Sequence, residues 1–139
     1  MKKVIALWGC SNVGKSSTIK QVCELLLARY PKAEKEYGIF RVDIRVVLTI
    51  NGVKVGIESQ GDPSSRLPES LSLFVKLGCK VIVCATRTKG QTVDAVNKLK
   101  PNYETVWMEQ IATKSANWKS NNLEIAKWIV KEVENMIEA

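Results

Sequence analysis

Apolar positions in this chain switch between runs, alternation and helical spacing, and each switch marks an element. "KVIALW", residues 3–8, is a short apolar run closed by glycine, the pattern of a strand buried on both faces. From Ser16 to about Tyr30, Ile19, Val22, Cys23 and Leu26 recur at helical spacing, and Pro31 stands where that helix stops. "VDIRVVLTI" and "VKVGIES" are β-rich runs separated by Asn51-Gly52, the strongest two-residue hairpin signal. Strands at 42–50 and 53–59 are therefore expected as antiparallel neighbours.

Leu67, Leu71, Phe74 and Val75, with Pro68 near the start and Gly78 at the end, predict a helix. "KVIVCAT" is another buried strand. "QTVDAVNKLK" places Val93, Val96 and Leu99 on one face of a short helix that ends by Pro101, and "YETVWMEQI" reads as a strand. A last helix over 122–138 carries the stripe Ile125, Ile129, Val130, Val133 and Ile137, with Asn121-x-x-Glu124 as its capping box. Strands alternating with helices imply an α/β fold of three layers: about five mostly parallel strands, one antiparallel hairpin partner, and helices on both faces. The segment "PKAEKEYGIFR", 31–41, shows no such period and reads as a mobile switch or an acceptor lid.

At 139 residues the chain has the length of one domain, 1–139, and 45% hydrophobic with 25% charged residues is ordinary globular usage. The formal charge of +7 is unevenly placed: residues 1–54 carry ten Lys/Arg against four Asp/Glu, residues 55–139 eleven against ten. That bias suits an anionic small ligand in the first half better than an extended nucleic-acid surface, since no run of five basic residues occurs. Four cysteines without a C-x-x-C pair, and no histidine, argue against zinc and for reduced thiols in a cytoplasmic setting. The N-terminal apolar run is shorter than a signal peptide requires, and no run is long enough to span a membrane.

The stretch that organises these observations is Gly9-Cys10-Ser11-Asn12-Val13-Gly14-Lys15-Ser16, followed by Ser17, set between a predicted strand and a predicted helix. A nest of main-chain N–H groups at a helix start, with glycines relieving Cβ clashes, suits phosphate oxygens. In that context the motif resembles the phosphate-binding loop of the P-loop NTPase superfamily. The resemblance implies that residues 9–17 cradle ATP, that Lys15 contacts the β- and γ-phosphates, and that Ser16 ligates Mg²⁺. It also implies an acidic partner. Glu58, at the end of a strand and followed by "SQGD", is similar to a Walker B carboxylate or to a GTPase D-x-x-G with Glu for Asp, so Glu58 or Asp62 is expected to reach the metal through water. Asp62 is placed to orient the attacking water, Gln60 is a further candidate, and Asp43 reads as a salt-bridged strand-end residue.

Arg66, Arg87 and Lys89 are candidates to neutralise phosphate, by stabilising transferring charge or by clamping an acceptor's phosphate; Trp118 could stack on a base but reads first as an aromatic packed under the final helix. The guanine-reading N-K-x-D is absent, which leaves ATP as the default. The functions that follow are a Mg-dependent hydrolase of nucleoside triphosphate, a small-molecule or nucleotide kinase with Arg66 and "TRTKG" holding the acceptor, or a nucleotide-gated switch.

Overall fold

The computed structural model describes residues 1–10, 13–111 and 118–138. In chain order its elements are β1 (Lys2–Trp8), α1 (Lys15–Arg29), β2 (Glu34–Phe40), β3 (Ile44–Ile50), β4 (Val53–Glu58), α2 (Leu67–Lys76), β5 (Val81–Thr86), α3 (Gln91–Asn97), β6 (Tyr103–Glu109) and α4 (Trp118–Glu138). The strands form one mixed sheet in the order β2-β3-β4-β5-β1-β6. β4, β5, β1 and β6 run parallel, whereas β3 is antiparallel to β4 and β2 antiparallel to β3.

Six strands replace the expected five because residues 34–40, read from the sequence as a switch or lid, pair along the edge of β3. All of that strand but Ile39 is exposed, so no face of it is core-facing and it leaves no alternation for a sequence pattern to reveal. The Asn51-Gly52 turn joins β3 to β4 as expected, with both residues at positive φ, 51° and 80°. α4 starts at Trp118, one turn before the predicted box, so Asn121 and Glu124 lie inside the helix and cap nothing. α3 ends at Asn97, short of Pro101.

Two cores form, one on each face. Ile5 and Leu7 of β1, the β3 residues Val46 and Leu48, and Val83 pack under Ile19, Val22 and Leu26 of α1 and Ala126, Ile129 and Val133 of α4. Val4, Ala6, Val47, Ile82 and Cys84 pack under Leu67, Leu71 and Phe74 of α2 and Val96 of α3. α1 and α4 therefore cover one face, α2 and α3 the other: three layers, as buried parallel strands require. Among the described residues no helix is long and apolar enough to cross a membrane.

This topology fixes where a ligand can sit. β1 and β5 are parallel neighbours, but the chain leaving β1 enters α1 on one face, while the chain leaving β5 enters α3 on the other. Their C-terminal ends diverge, and open α/β sheets have their ligand crevice at such a switch point.

Candidate functional site

The glycine-lysine loop leaves β1 at this divergence. Gly9 N–H donates to the Thr86 carbonyl at the end of β5, 3.3 Å away, which ties the two strand ends together. A Cβ on Gly9 would stand 2.5 Å from the Gln110 carbonyl oxygen, so the loop can leave the sheet here only without a side chain. Gly14 caps α1 in the left-handed conformation, φ 95°, with no side-chain cap and no acidic residue in the first turn. Among the described residues no side-chain cap or first-turn carboxylate offsets its first amides and positive dipole end.

Lys15, the first residue of α1, is 7% exposed. Its ammonium folds back to donate to the Gly9 carbonyl at 2.5 Å and the Thr86 carbonyl at 2.6 Å. Among the described residues it forms no ion pair. Burial, then the positive charge of Arg87, lower its pKa to about 8, against smaller opposing contributions from Asp62 and Cys10. Gly14, Lys15, Ser16, Ser17, Ser59, Gly61, Asp62 and Ala85 line a cavity of about 250 Å³ at this point. Gly61 lies so close to Ala85 that a Cβ would meet its carbonyl oxygen at 2.5 Å, and this contact brings Asp62 to the end of β5.

The acidic residues divide differently from the sequence expectation. Glu58 is fully buried, and both of its oxygens are engaged: Arg66 donates from Nε at 2.7 Å to Oε1 and from Nη2 at 3.1 Å to Oε2, Ser70 Oγ donates at 2.5 Å, and Gln60 N–H at 3.0 Å. The carboxylate that meets Ser16 is Asp43, whose Oδ1 accepts from Ser16 Oγ at 2.8 Å and from Ser59 Oγ at 3.0 Å. Ser59 in turn accepts from the Ile44 N–H at 2.8 Å. Because β3 runs antiparallel to β4, the start of β3 lies at the edge where β4 ends, which carries Asp43 to the switch-point side of the sheet. That consequence of the Asn51-Gly52 hairpin was available in the sequence as a signal, although Asp43 reads there as a mere strand-end residue.

Asp62 pairs with Arg87 across the cleft, Arg87 Nε donating to Oδ1 at 2.9 Å, both side chains partly open to solvent. Arg66 is spent on Glu58, and Gln60 accepts from the Arg66 N–H at 3.0 Å. Lys89 is exposed beside Gly90. Cys10 is exposed, whereas Cys23, Cys79 and Cys84 are buried, with burial pushing their thiols up to about 11, 11 and 12. Ser11, Asn12 and the Trp118 side chain lie outside the described part of the chain.

Beneath the loop lies a polar group that the sequence reading missed. Gln110, immediately after β6, is 1% exposed. Its Nε2 donates to the Val13 carbonyl at 2.8 Å and to Asn122 Oδ1 at 2.7 Å, and its Oε1 accepts from Thr18 Oγ1 at 2.8 Å. The one hint in the sequence is a glutamine placed where an apolar strand ends.

The structure thus defines an α/β chain with a polar crevice, bearing one buried cation, at the switch point of its sheet. Comparison with known protein families, curated proteins and solved structures finds no match.

Proposed function

We propose that this chain is a P-loop protein that binds Mg·ATP in the crevice between β1 and β5 and hydrolyses it. One observation carries the reading: Lys15 is a buried ammonium that forms no ion pair among the described residues, set at a helix N-terminus whose Gly14 cap supplies no side-chain bond. Burying a charge is costly unless it is paired, and among the described residues two neutral carbonyls accept from it. A polyphosphate supplies the missing negative charge and takes the free amides of α1 as well. The cavity of about 250 Å³, polar along Ser16, Ser17, Ser59 and Asp62, is sized for the phosphate end of the ligand, with the rest lying outside it.

The oxygen donors at Ser16 and Asp43 fit a hard cation such as Mg²⁺, which takes few protein ligands beside phosphate and water. Ser16 would hold the ion, with Asp43 fixing the hydroxyl, and Glu58 is not part of this set. A metal held there would supply positive charge against the phosphate oxygens. Lys15 releases the Gly9 and Thr86 carbonyls to bind the same oxygens. Asp62 orients water at the cleft, and Arg87, released from Asp62, meets the charge that develops on the transferred phosphoryl group.

A transfer reading stands second, favoured by the Asp62–Arg87 pair: its exposure at the crevice lip would let the anionic group of a small acceptor displace Asp62 from Arg87. Calorimetry with Mg·ATP tests the shared premise. The parent protein should bind and Lys15→Ala should not; equal binding by the two, or none by the parent, overturns it. Phosphate release without added acceptor separates hydrolysis from transfer.

A further inference from the structure

We infer that Gln110 is the positioning residue of the phosphate loop, holding it from below in its receptive shape through the Val13 carbonyl. The inference rests on the nucleotide-binding reading for its purpose, but its geometry is independent of any ligand. Among its described residues the loop is tied to the rest of the protein by Gly9 N–H on β5, Lys15 on the Thr86 carbonyl, Ser16 on Asp43, and Gln110 on the Val13 carbonyl. Of these, the lysine must let go when a polyanion arrives. Gln110 need not, because its amide is on the core side of the loop.

The orientation of that amide follows from its partners. The Val13 carbonyl can only accept, so the nitrogen of Gln110 must face it, and its oxygen is left for the Thr18 hydroxyl. Asn122 of α4 then presents its oxygen to the second Nε2 hydrogen. Every hydrogen-bonding site this geometry demands of the Gln110 side chain is used. Thr18 stands one turn into α1, so the same amide joins β6, α4, the loop and the lysine-bearing helix. The backbone is held as well: Gln110 N–H donates to the Trp8 carbonyl at 2.8 Å, immediately before Gly9. Gly14 is shaped to this support, since a Cβ there would come within 3.0 Å of Gln110 Nε2 and 3.1 Å of Asn122 Nδ2. Among the described residues Asn122 Nδ2 has no acceptor, and it lies beside Gly14 as a buried donor.

Glutamine is required here for its length and its two-sided amide. Methionine at this position keeps the volume and loses every side-chain bond; glutamate keeps the acceptor for Thr18 but sets a second oxygen against the Val13 carbonyl. Neither can hold the loop, and both leave the contacts between the two apolar cores untouched.

Gln110→Met, Gln110→Glu and, as a milder variant that keeps the Gln110 bonds to Val13 and Asn122 while removing the Thr18 hydroxyl from Gln110 Oε1 and the Gly14 carbonyl, Thr18→Val test the inference. The first readout needs no nucleotide: the rate at which a small maleimide labels Cys10, the exposed thiol inside the loop, with labelling of the buried Cys23, Cys79 and Cys84 followed in parallel. A released loop should change the Cys10 rate several-fold in both Gln110 variants, and less in Thr18→Val, while the other three thiols stay protected. The second readout is Mg·ATP affinity by calorimetry, expected to fall by about tenfold or more in the Gln110 variants. Cys10 labelling and ATP affinity both unchanged in every folded variant would overturn the proposal, as would a rise in labelling of all four thiols together, which marks general loosening instead. A changed Cys10 rate in a protein whose parent binds no triphosphate keeps Gln110 as the support of the loop and removes the nucleotide reading alone.

Discussion

A buried ion pair resists removal of one partner more than removal of both, because the survivor is left charged and unpaired in a medium that solvates it poorly. Glu58, fully buried, and Arg66, partly buried, form a pair of this kind, further tied to Ser70. Glu58→Gln is expected to lower unfolding stability by about 3 kcal/mol in urea denaturation, while the folded fraction keeps its response to Mg²⁺. Asp43→Asn should do the reverse, retaining stability and losing the Mg²⁺ dependence of triphosphate binding; the opposite outcome would return the metal role to Glu58. Lys15 gives a pH prediction. With its pKa lowered to about 8 by burial and Arg87, it loses its proton in the folded protein well before it does in the unfolded chain. Between about 8 and the ordinary lysine range the unfolded state therefore holds more protons, and this group adds stability as pH rises. Comparing denaturation midpoints at pH 7.5 and 9 should show that gain in the parent and not in Lys15→Met. A bound polyanion favours the ammonium form, so triphosphate affinity should fall as pH rises through 8, with proton uptake visible as a buffer-dependent binding enthalpy.

The elements are held by close contacts that leave little freedom. α2 approaches β4 at Gly56, where an added Cβ would stand 2.5 Å from Phe74 Cγ. Gly56→Ala should cost about 1–3 kcal/mol through overpacking, and pairing it with Phe74→Leu should recover part of that loss, since residues in direct contact do not add independently. A thermal or urea comparison of the two single variants and the double variant measures the coupling. Between α1 and α4, Glu134 accepts from both Arg29 and Tyr30, and below this contact Ile19, Val22 and Leu26 meet Ala126 and Ile129. α4 thereby fixes Asn122 under the loop, so an element distant in sequence contributes to the shape of the site.

For the whole molecule, the arrangement of the faces matters more than any single bond. Two helices on each side bury the parallel strands, and the divergence of α1 from α3 leaves a crevice at the ends of β1 and β5. A ligand that fills it stabilises the native state by mass action. Mg·ATP at about one hundred times its Kd should raise stability by about 2.7 kcal/mol, seen as a higher melting temperature in the parent and no shift in Lys15→Ala. The surplus of positive charge adds a salt dependence: raising ionic strength should weaken triphosphate binding, because part of the attraction comes from residues beyond direct contact.

Local chemistry was legible in the sequence wherever one stretch decides its own structure. The apolar runs of β1 and β5, the helical spacing of α1, the Asn51-Gly52 hairpin and the glycine-lysine loop all depend on neighbours within a few residues, and periodicity and turn chemistry record that dependence directly. β2 escaped because its pairing with β3 is a main-chain interaction at a solvated edge, which imposes no apolar period. The exchange of Glu58 for Asp43 beside Ser16, and the seating of Gln110 and Asn122 under Val13 and Gly14, were decided only in three dimensions. Which carboxylate meets a hydroxyl, and which buried amide meets a carbonyl, depends on strand order and on which face each helix covers, and those are settled by how the two cores pack.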